Sequence, residues 1–187
     1  MTTTLRINIK DLNPQFFQEL EQEMGSSTQV EIKVESRTHG EGLFSEAQFW
    51  QLVELFDWEQ KNRDKIIEPA VIALSKMPIS AIYLFEDFLS EKLFNLDTKE
   101  HAKAYMSQQT DDYFSVDDFL YVRCGVVAEG RAYYENIIKN PAEFPVDIDF
   151  EHILSVAAEA YKMKTGRDFD YSPLYNYETR SNTEKWK

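Results

Sequence analysis

The chain has 187 residues, of which 43% are hydrophobic and 14% aromatic, enough apolar surface for one compact domain or a domain with a small appendage. Its 33 acidic and 20 basic residues give a net charge of -13, which repels the phosphate backbone of nucleic acids. No apolar stretch reaches the length of about 20 residues that a membrane-spanning helix needs. The single cysteine, Cys124, can form neither an intrachain disulfide nor a cysteine-based zinc site. We therefore expect an acidic cytoplasmic protein without a nucleic-acid or membrane partner.

The first predicted element is a strand-helix-strand unit. Residues 3–9 and 29–34 alternate polar and apolar side chains, which is the period of a half-buried strand. Between them, Asn13 can cap a helix that has Pro14 at its first position and Gly25 just past its end. Because two strands leave open edges, we expect this unit either to dock on the rest of the chain or to pair with a second copy as a homodimer.

Beyond this unit, the apolar periodicity is that of helices. Ser45 and Gln48 form a capping-box pattern, and Asp149 is expected to cap the last helix. The predicted fold class is mainly α: a bundle-like domain of about six helices preceded by a β-α-β element. The predicted divisions are the strand-helix-strand unit 1–35, a polar linker 36–44, the helical domain 45–170 and a C-terminal tail 171–187. Because the tail contains aromatic residues, we expect it either to wrap against the helical body or to meet a partner.

Known catalytic and cofactor-binding motifs are missing from the sequence. It contains no G-x-G-x-x-G, Walker-type, G-x-S-x-G or H-E-x-x-H pattern. The three histidines lie far apart, and the acidic pairs at 111–112 and 117–118 lack the glycine and the final glutamate of a calcium loop. We therefore predict no catalytic residue, no metal site and no cofactor.

One charged residue, Arg123, lies within the apolar stripe of a predicted helix. A charge there must be paired or must extend to the surface. One interpretation is a structural ion pair with Asp118 or Glu86. The alternative is a pocket in which Arg123 and Arg131 hold an anionic ligand or an acidic side chain of a partner, because the planar guanidinium suits carboxylates.

Several short motifs in the helical part occur in the order and spacing of a known family. They are Phe49-Trp50, Asp117-Asp118-Phe119 with Tyr121 and Arg123, Gly130-Arg131 followed by Tyr134, Asn140-Pro141, and a final helix at 150–166 with an Ala-Tyr pair and a closing Thr-Gly. Residues 45–170 therefore resemble the bacterial domain-of-unknown-function family 4240, whose core does not include the strand-helix-strand unit. The glycine pair expected before the Asp-Asp is replaced here by Asp112-Tyr113-Phe114.

The resemblance implies no established activity, but it marks residues to test. The candidate binding residues are Trp50, Asp118, Arg123, Arg131 and Tyr134. From the negative charge, the missing motifs and the aromatic tail, we expect a protein-binding or regulatory module without catalysis. Two alternatives stay open. One is an enzyme or small-ligand binder with an anion-binding pocket around Arg123 and Arg131, and the other is an immunity or antitoxin-like protein that neutralises a basic partner.

Overall fold

The computed structural model describes residues 12–25, 30, 43–109 and 113–187. The chain divides into two compact units, Met1–His39 and Gly40–Lys187. The described residues form α-helices and two 3₁₀ helices, Pro141–Glu143 and Glu151–Ser155. The α-helices are α1 (Pro14–Met24), α2 (Glu46–Val53), α3 (Arg63–Lys76), α4 (Ile79–Leu96), α5 (Lys99–Ser107), α6 (Val116–Ala128), α7 (Arg131–Lys139) and α8 (Val156–Thr165).

Helix α1 belongs to the first unit, and local sequence sets both of its ends. The side chain of Asn13 accepts the N–H of Phe16 at 3.0 Å, and Pro14 occupies the first turn, where its missing N–H costs nothing. Gly25 ends the helix with a φ of 89°, a conformation that favours glycine. The helix predicted between the two strands is confirmed.

The β-α-β element of the predicted fold class is wrong for the part of the chain that the structure describes, which is helical and contains no strand. The expected strands, 3–9 and 29–34, fall outside the described residues except for Val30, which is not in regular structure. Alternation reports only which side chains share a face, whereas a strand also needs a neighbour to complete its hydrogen bonds. No described element supplies that neighbour. The homodimer through these strands stays a prediction.

Helix α4 is the centre of the second unit, where it contacts α2, α3, α6 and α8. Phe85, Leu89 and Leu93 recur every four residues on α4 and are fully buried, which is the stripe expected of a core helix. The described part of this unit holds seven α-helices, α2 to α8, compared with the predicted six or so. Among the described residues, no helix combines the length and the apolar character needed to cross a bilayer.

The last predicted helix is two elements in the structure. The 3₁₀ helix Glu151–Ser155 follows Phe150 without a side-chain cap, and α8 begins at Val156. Asp149, the expected cap, instead binds Arg63 on α3 through a 2.6 Å contact. The prediction failed because a carboxylate that pairs with a guanidinium is turned away from the N–H groups it would cap.

The tail, residues 171–187, lies against the helices of the second unit in an irregular conformation, and the buried carboxylate of Asp97 holds it there. The donors to Asp97 are the backbone N–H groups of Arg180 and Asn182 (both 3.0 Å), the indole N–H of Trp186 (2.8 Å) and the hydroxyl of Ser181 (3.3 Å), whose one hydrogen is shared with the carbonyl oxygen of Asn176. Arg180 has a φ of 73°, and two nearby N–H groups converge on one carboxylate there, as in an anion nest. We call Asp97 and these four donors the tail clamp.

A substitution of Asp97 by asparagine tests the tail clamp. Each carboxylate oxygen accepts a backbone N–H, so either orientation of the amide places an NH₂ group against an N–H donor. We expect Asp97→Asn to lower the free energy of unfolding by about 2–4 kcal/mol and to make the tail sensitive to protease. Urea unfolding and limited proteolysis measure both effects. The control is Asp170→Asn, an exposed residue; equal behaviour of the two variants would contradict the clamp.

Candidate functional site

Arg123, on α6, is the largest of the fully buried side chains in the described chain, with 0% of its surface exposed. Its Nη1 donates to the carbonyl oxygens of Leu93 and Tyr177, both at 3.0 Å, and its Nη2 donates to Thr179 Oγ1 at 2.8 Å. The guanidinium carbon lies 5.0 Å from the centre of the Phe119 ring, within cation-π range. Arg123 Nε has no hydrogen-bond partner among the described residues. The side chain therefore joins α4, α6 and the tail inside the molecule.

The acceptor on α4 explains why a cation is stabilised at this point. Leu93 is among the last four residues of α4, whose carbonyl groups have no partner within the helix. A positive charge is also favoured at the carboxyl end of a helix by the dipole. Burial lowers the pKa of Arg123, while the negative charge of Asp97 acts in the opposite direction. Helix-end carbonyls and the tail thus replace the solvent that the guanidinium has lost.

Neither of the acidic partners expected for Arg123 pairs with it. Asp118 is exposed in the first turn of α6, where its N–H donates to Ser115 Oγ at 3.2 Å. Glu86 is 7% exposed, and burial, with a smaller contribution from the charge of Asp87, raises its pKa to about 7. The prediction of a structural ion pair is therefore wrong about the partners of Arg123. The guanidinium donates to two carbonyl groups and a hydroxyl group, and not to a carboxylate.

Trp50 and Tyr134 come together around a buried lysine, Lys92 on α4. The Trp50 and Tyr134 ring centres are 5.4 Å apart, and Lys92 Nζ lies 6.0 Å from the Tyr134 ring. Lys92 Nζ is 2.9 Å from Glu46 Oε1 and 3.0 Å from Glu91 Oε2. The hydrogen bond from Lys92 lowers the pKa of Glu46. This cluster holds α2, α4 and α7 together, and its cation already has two carboxylate partners.

Arg131 lies at the start of α7 with 53% of its side chain exposed, and its Nε is 2.7 Å from Glu135 Oε1. That pair is an exposed contact one helical turn apart. The five candidate residues therefore do not form one site. Trp50 and Tyr134 share the Lys92 cluster, Arg123 lies in the core under the tail, and Asp118 and Arg131 are at the surface.

A cavity of about 140 Å³ lies beside Trp58, in the segment between α2 and α3. Trp58 is a large aromatic side chain with 49% of its surface exposed. The cavity, called here the Trp58 pocket, is lined by Trp58, Gly125, Glu129, Ile148, Asp149 and Phe150. The ring of Phe150 packs against Trp58, with 4.9 Å between their centres. The pocket therefore combines an accessible indole, an apolar floor and two carboxylates.

The floor of the Trp58 pocket depends on a close approach between α6 and the segment before the second 3₁₀ helix. A Cβ atom added at Gly125 would lie 1.6 Å from the carbonyl oxygen of Ile148. The N–H of Phe150 also donates to the carbonyl oxygen of Tyr121 at 3.0 Å. Only glycine lets this backbone lie so close to the helix, so Gly125 shapes the pocket.

The two carboxylates of the Trp58 pocket differ in their surroundings. Asp149 is paired with Arg63, and that hydrogen bond lowers the pKa of Asp149. Glu129 is exposed and forms no ion pair with any residue that the structure describes. The pKa of nearby Tyr133 is raised mainly by burial and further by the charge of Glu129. Glu129 therefore offers an unneutralised negative charge at the rim.

Sequence reasoning did not select the residues of the Trp58 pocket. Trp58 lies outside the apolar periodicity of the helices on either side, and charged residues flank it in Asp57-Trp58-Glu59. That pattern is a signal for an exposed aromatic side chain. Gly125, in the middle of an apolar helix, signals a close backbone approach. Neither signal says that the two residues meet, because they are far apart in the chain.

Substitution of Arg123 by methionine should destabilise the second unit. Methionine fills similar space but leaves the Leu93 and Tyr177 carbonyls and the Thr179 hydroxyl without their donor. We expect the free energy of unfolding to fall by at least about 3 kcal/mol, measured by urea unfolding followed by circular dichroism. The control is Arg131→Met at an exposed site, which should change stability by less than about 1 kcal/mol. Equal, small effects would contradict the structural role.

The raised pKa of Glu86 predicts a dependence of stability on pH. The folded chain holds this proton up to a pKa of about 7, against 4.5 for an unperturbed glutamate. The resulting stability is present below pH 4.5 and is lost as pH rises through 7. Glu86→Gln mimics the neutral form, so its advantage over the native chain should grow to about 3 kcal/mol at pH 8. Thermal unfolding between pH 5 and 8 measures this difference. If the difference in stability between Glu86→Gln and the native chain did not change with pH, the prediction would be contradicted. Glu59→Gln is the control at an exposed site.

Comparison with known proteins gives a family match that lies within the second unit of the chain. The model of the family described as "Protein of unknown function (DUF4240)" matches residues 44–163, well over half of the chain and all within the second unit. No curated protein and no solved structure matches the chain. The matched region includes the whole Trp58 pocket and the buried Arg123. The chain belongs to the DUF4240 family.

Proposed function

We propose that this protein is a non-catalytic binding module that recognises a basic segment of another protein. The observation that carries the proposal is the Trp58 pocket, in which a half-exposed indole stands beside the unpaired carboxylate of Glu129. A lysine or arginine side chain of the partner would enter this pocket.

Each part of the Trp58 pocket can contact a part of a basic side chain. The face of tryptophan attracts ammonium and guanidinium groups more strongly than other aromatic rings do. The stem of lysine or arginine is apolar and can pack on Ile148 and Phe150, while its charged end remains near Glu129. A cavity of about 140 Å³ has room for one side-chain head group and not for a larger ligand.

The electrostatics around the pocket support the same class of partner. Asp147, Glu143 and Glu129 all raise the pKa of Tyr133 through their charges, so negative groups are close together on this surface. The net charge of -13 would speed the approach of a basic partner. Arg63, bound to Asp149 at 2.6 Å, is an intramolecular example of a guanidinium held at this rim.

The alternatives raised by the sequence have less support. An anion-binding pocket around Arg123 would require that side chain, which is 0% exposed, to give up three hydrogen bonds. For an enzyme, Glu86 and Cys124 are buried groups whose pKa values are strongly raised, and neither lines the Trp58 pocket. Burial also raises the pKa of Cys124 to about 12, so its thiol stays protonated.

The immunity or antitoxin-like reading is a special case of the proposal, in which the basic partner is a toxin. The bacterial origin, the cytoplasmic location and the absence of a nucleic-acid partner stay predictions. A single buried thiol, Cys124, is compatible with a reducing compartment.

The proposal predicts saturable binding of basic peptides at the Trp58 pocket. Hexa-arginine should bind the full chain and shift the NMR signal of the Trp58 indole N–H before those of Trp50 and Trp186, which are less exposed. Trp58→Leu and Glu129→Gln should each weaken binding about threefold to fivefold, the size of one cation-π or exposed charge contact.

The matched control for the binding experiment is Glu59→Gln, which removes the same charge next to Trp58 from a residue that does not line the pocket. This variant should bind within about twofold of the native chain, because an exposed carboxylate that does not line the pocket contributes little to a contact inside it. Equal weakening by Glu59→Gln and Glu129→Gln would contradict the proposal, as would the absence of saturable binding.

A further inference from the structure

A second concave surface carries the opposite charge. It is a groove of about 610 Å³ that runs along the start of α5, one side of α7 and the end of the tail. Lys99, Lys103, Lys185 and Lys187 line it, together with Glu100 and Glu184. We call this surface the lysine groove. Its four cations against two anions leave a net positive charge on a chain whose net charge is -13.

Three of the four lysines that line the groove have no ion-pair partner among the described residues. Lys99, Lys103 and Lys185 form no ion pair with any residue in the described part of the chain, whereas Lys187 is 3.1 Å from Glu184. In a chain with 33 acidic and 20 basic residues, carboxylates are abundant enough to pair every lysine. Three like charges that line one groove and form no ion pair with its Glu100 or Glu184 repel one another, and a bound anion would relieve that repulsion.

The groove is held in shape by the tail. The N–H of Lys99 donates to the carbonyl oxygen of Lys185 at 3.1 Å, which places a tail lysine against the first residue of α5. The tail clamp at Asp97 fixes the same segment through Asn182 and Trp186. Cations contributed by two separate segments are therefore brought together before any ligand arrives, which lowers the entropy lost on binding.

The floor of the lysine groove is neutral. Tyr134 contributes a ring that is 6% exposed, and burial raises the pKa of its hydroxyl group, so that group keeps its proton at neutral pH. Asn95, which hydrogen-bonds to Tyr134, and the apolar side chain of Ile138 add no charge. The floor can therefore contact an uncharged part of a ligand, while the lysines at the rim contact its anionic part.

We propose that the lysine groove binds a small molecule that carries a multiply charged phosphate group. Lysine is a common phosphate ligand, and a doubly charged group can contact Lys99 and Lys185 at once. The volume of about 610 Å³ has room for an organic portion above Tyr134 as well. A nucleic-acid polymer fits less well, because its backbone would extend beyond the groove onto an acidic protein. This site is separate from the Trp58 pocket and does not depend on the function proposed for it.

The test is calorimetric and NMR titration of the full chain with inorganic pyrophosphate, inorganic phosphate, phenyl phosphate and acetate. Pyrophosphate and phenyl phosphate should bind saturably and shift the amide signals of Lys99 and Lys185, with acetate at least tenfold weaker. Lys99→Gln combined with Lys185→Gln should weaken pyrophosphate binding at least tenfold while circular dichroism shows an unchanged fold. Tighter binding of phenyl phosphate than of inorganic phosphate would identify an ester as the ligand, and the reverse order would identify free phosphate.

Two controls separate this proposal from general charge effects and from the Trp58 pocket. Lys61→Gln removes one exposed, unpaired lysine outside the groove and should leave pyrophosphate binding within twofold of the native value. Trp58→Leu should likewise leave it unchanged. The proposal is overturned if pyrophosphate does not bind saturably, if Lys61→Gln weakens binding as much as the double variant, or if single-stranded oligonucleotides bind more tightly than pyrophosphate.

Discussion

The buried guanidinium of Arg123 connects the end of α4, the body of α6 and the tail. Burying a charge is costly unless its hydration is replaced, and here the replacements are carbonyl groups of Leu93 and Tyr177 and the hydroxyl of Thr179. Two of these three acceptors belong to the tail. A charged side chain in the core therefore requires the tail to be docked, and the docked tail requires the charge.

The buried charge of Arg123 and the docked tail both contact the carboxyl end of α4. The last carbonyl groups of α4 need hydrogen-bond donors. Arg123 donates to the carbonyl oxygen of Leu93, and the side chain of Asn182 donates to that of Phe94 at 3.0 Å. Asp97 follows directly, in a position where the helix dipole disfavours a negative charge. The four donors of the tail clamp offset that cost. The tail thus completes a helix end, and in doing so it brings Lys185 to one side of the lysine groove.

The two concave surfaces of the second unit differ in what holds them. The Trp58 pocket rests on a backbone contact at Gly125, which a single methyl group would abolish. The lysine groove rests on hydrogen bonds between the tail and the segment that follows α4. One surface is negative and carries an aromatic ring, and the other is positive with a neutral floor. A chain of net charge -13 can therefore present distinct binding surfaces to a cation and to an anion.

The sequence by itself determined the local features of this protein. Asn13 and Ser45 predicted helix starts, because a cap bonds to an N–H two or three residues away. The helical period also placed Arg123 within an apolar stripe, but it left open whether the charge would be paired inside the molecule or would extend to the surface or a pocket. Only the tertiary structure decided its partners, because carbonyl acceptors belong to every residue and leave no mark on the sequence. The Trp58 pocket and the lysine groove were decided in the same way, by contacts between segments that are distant in the chain.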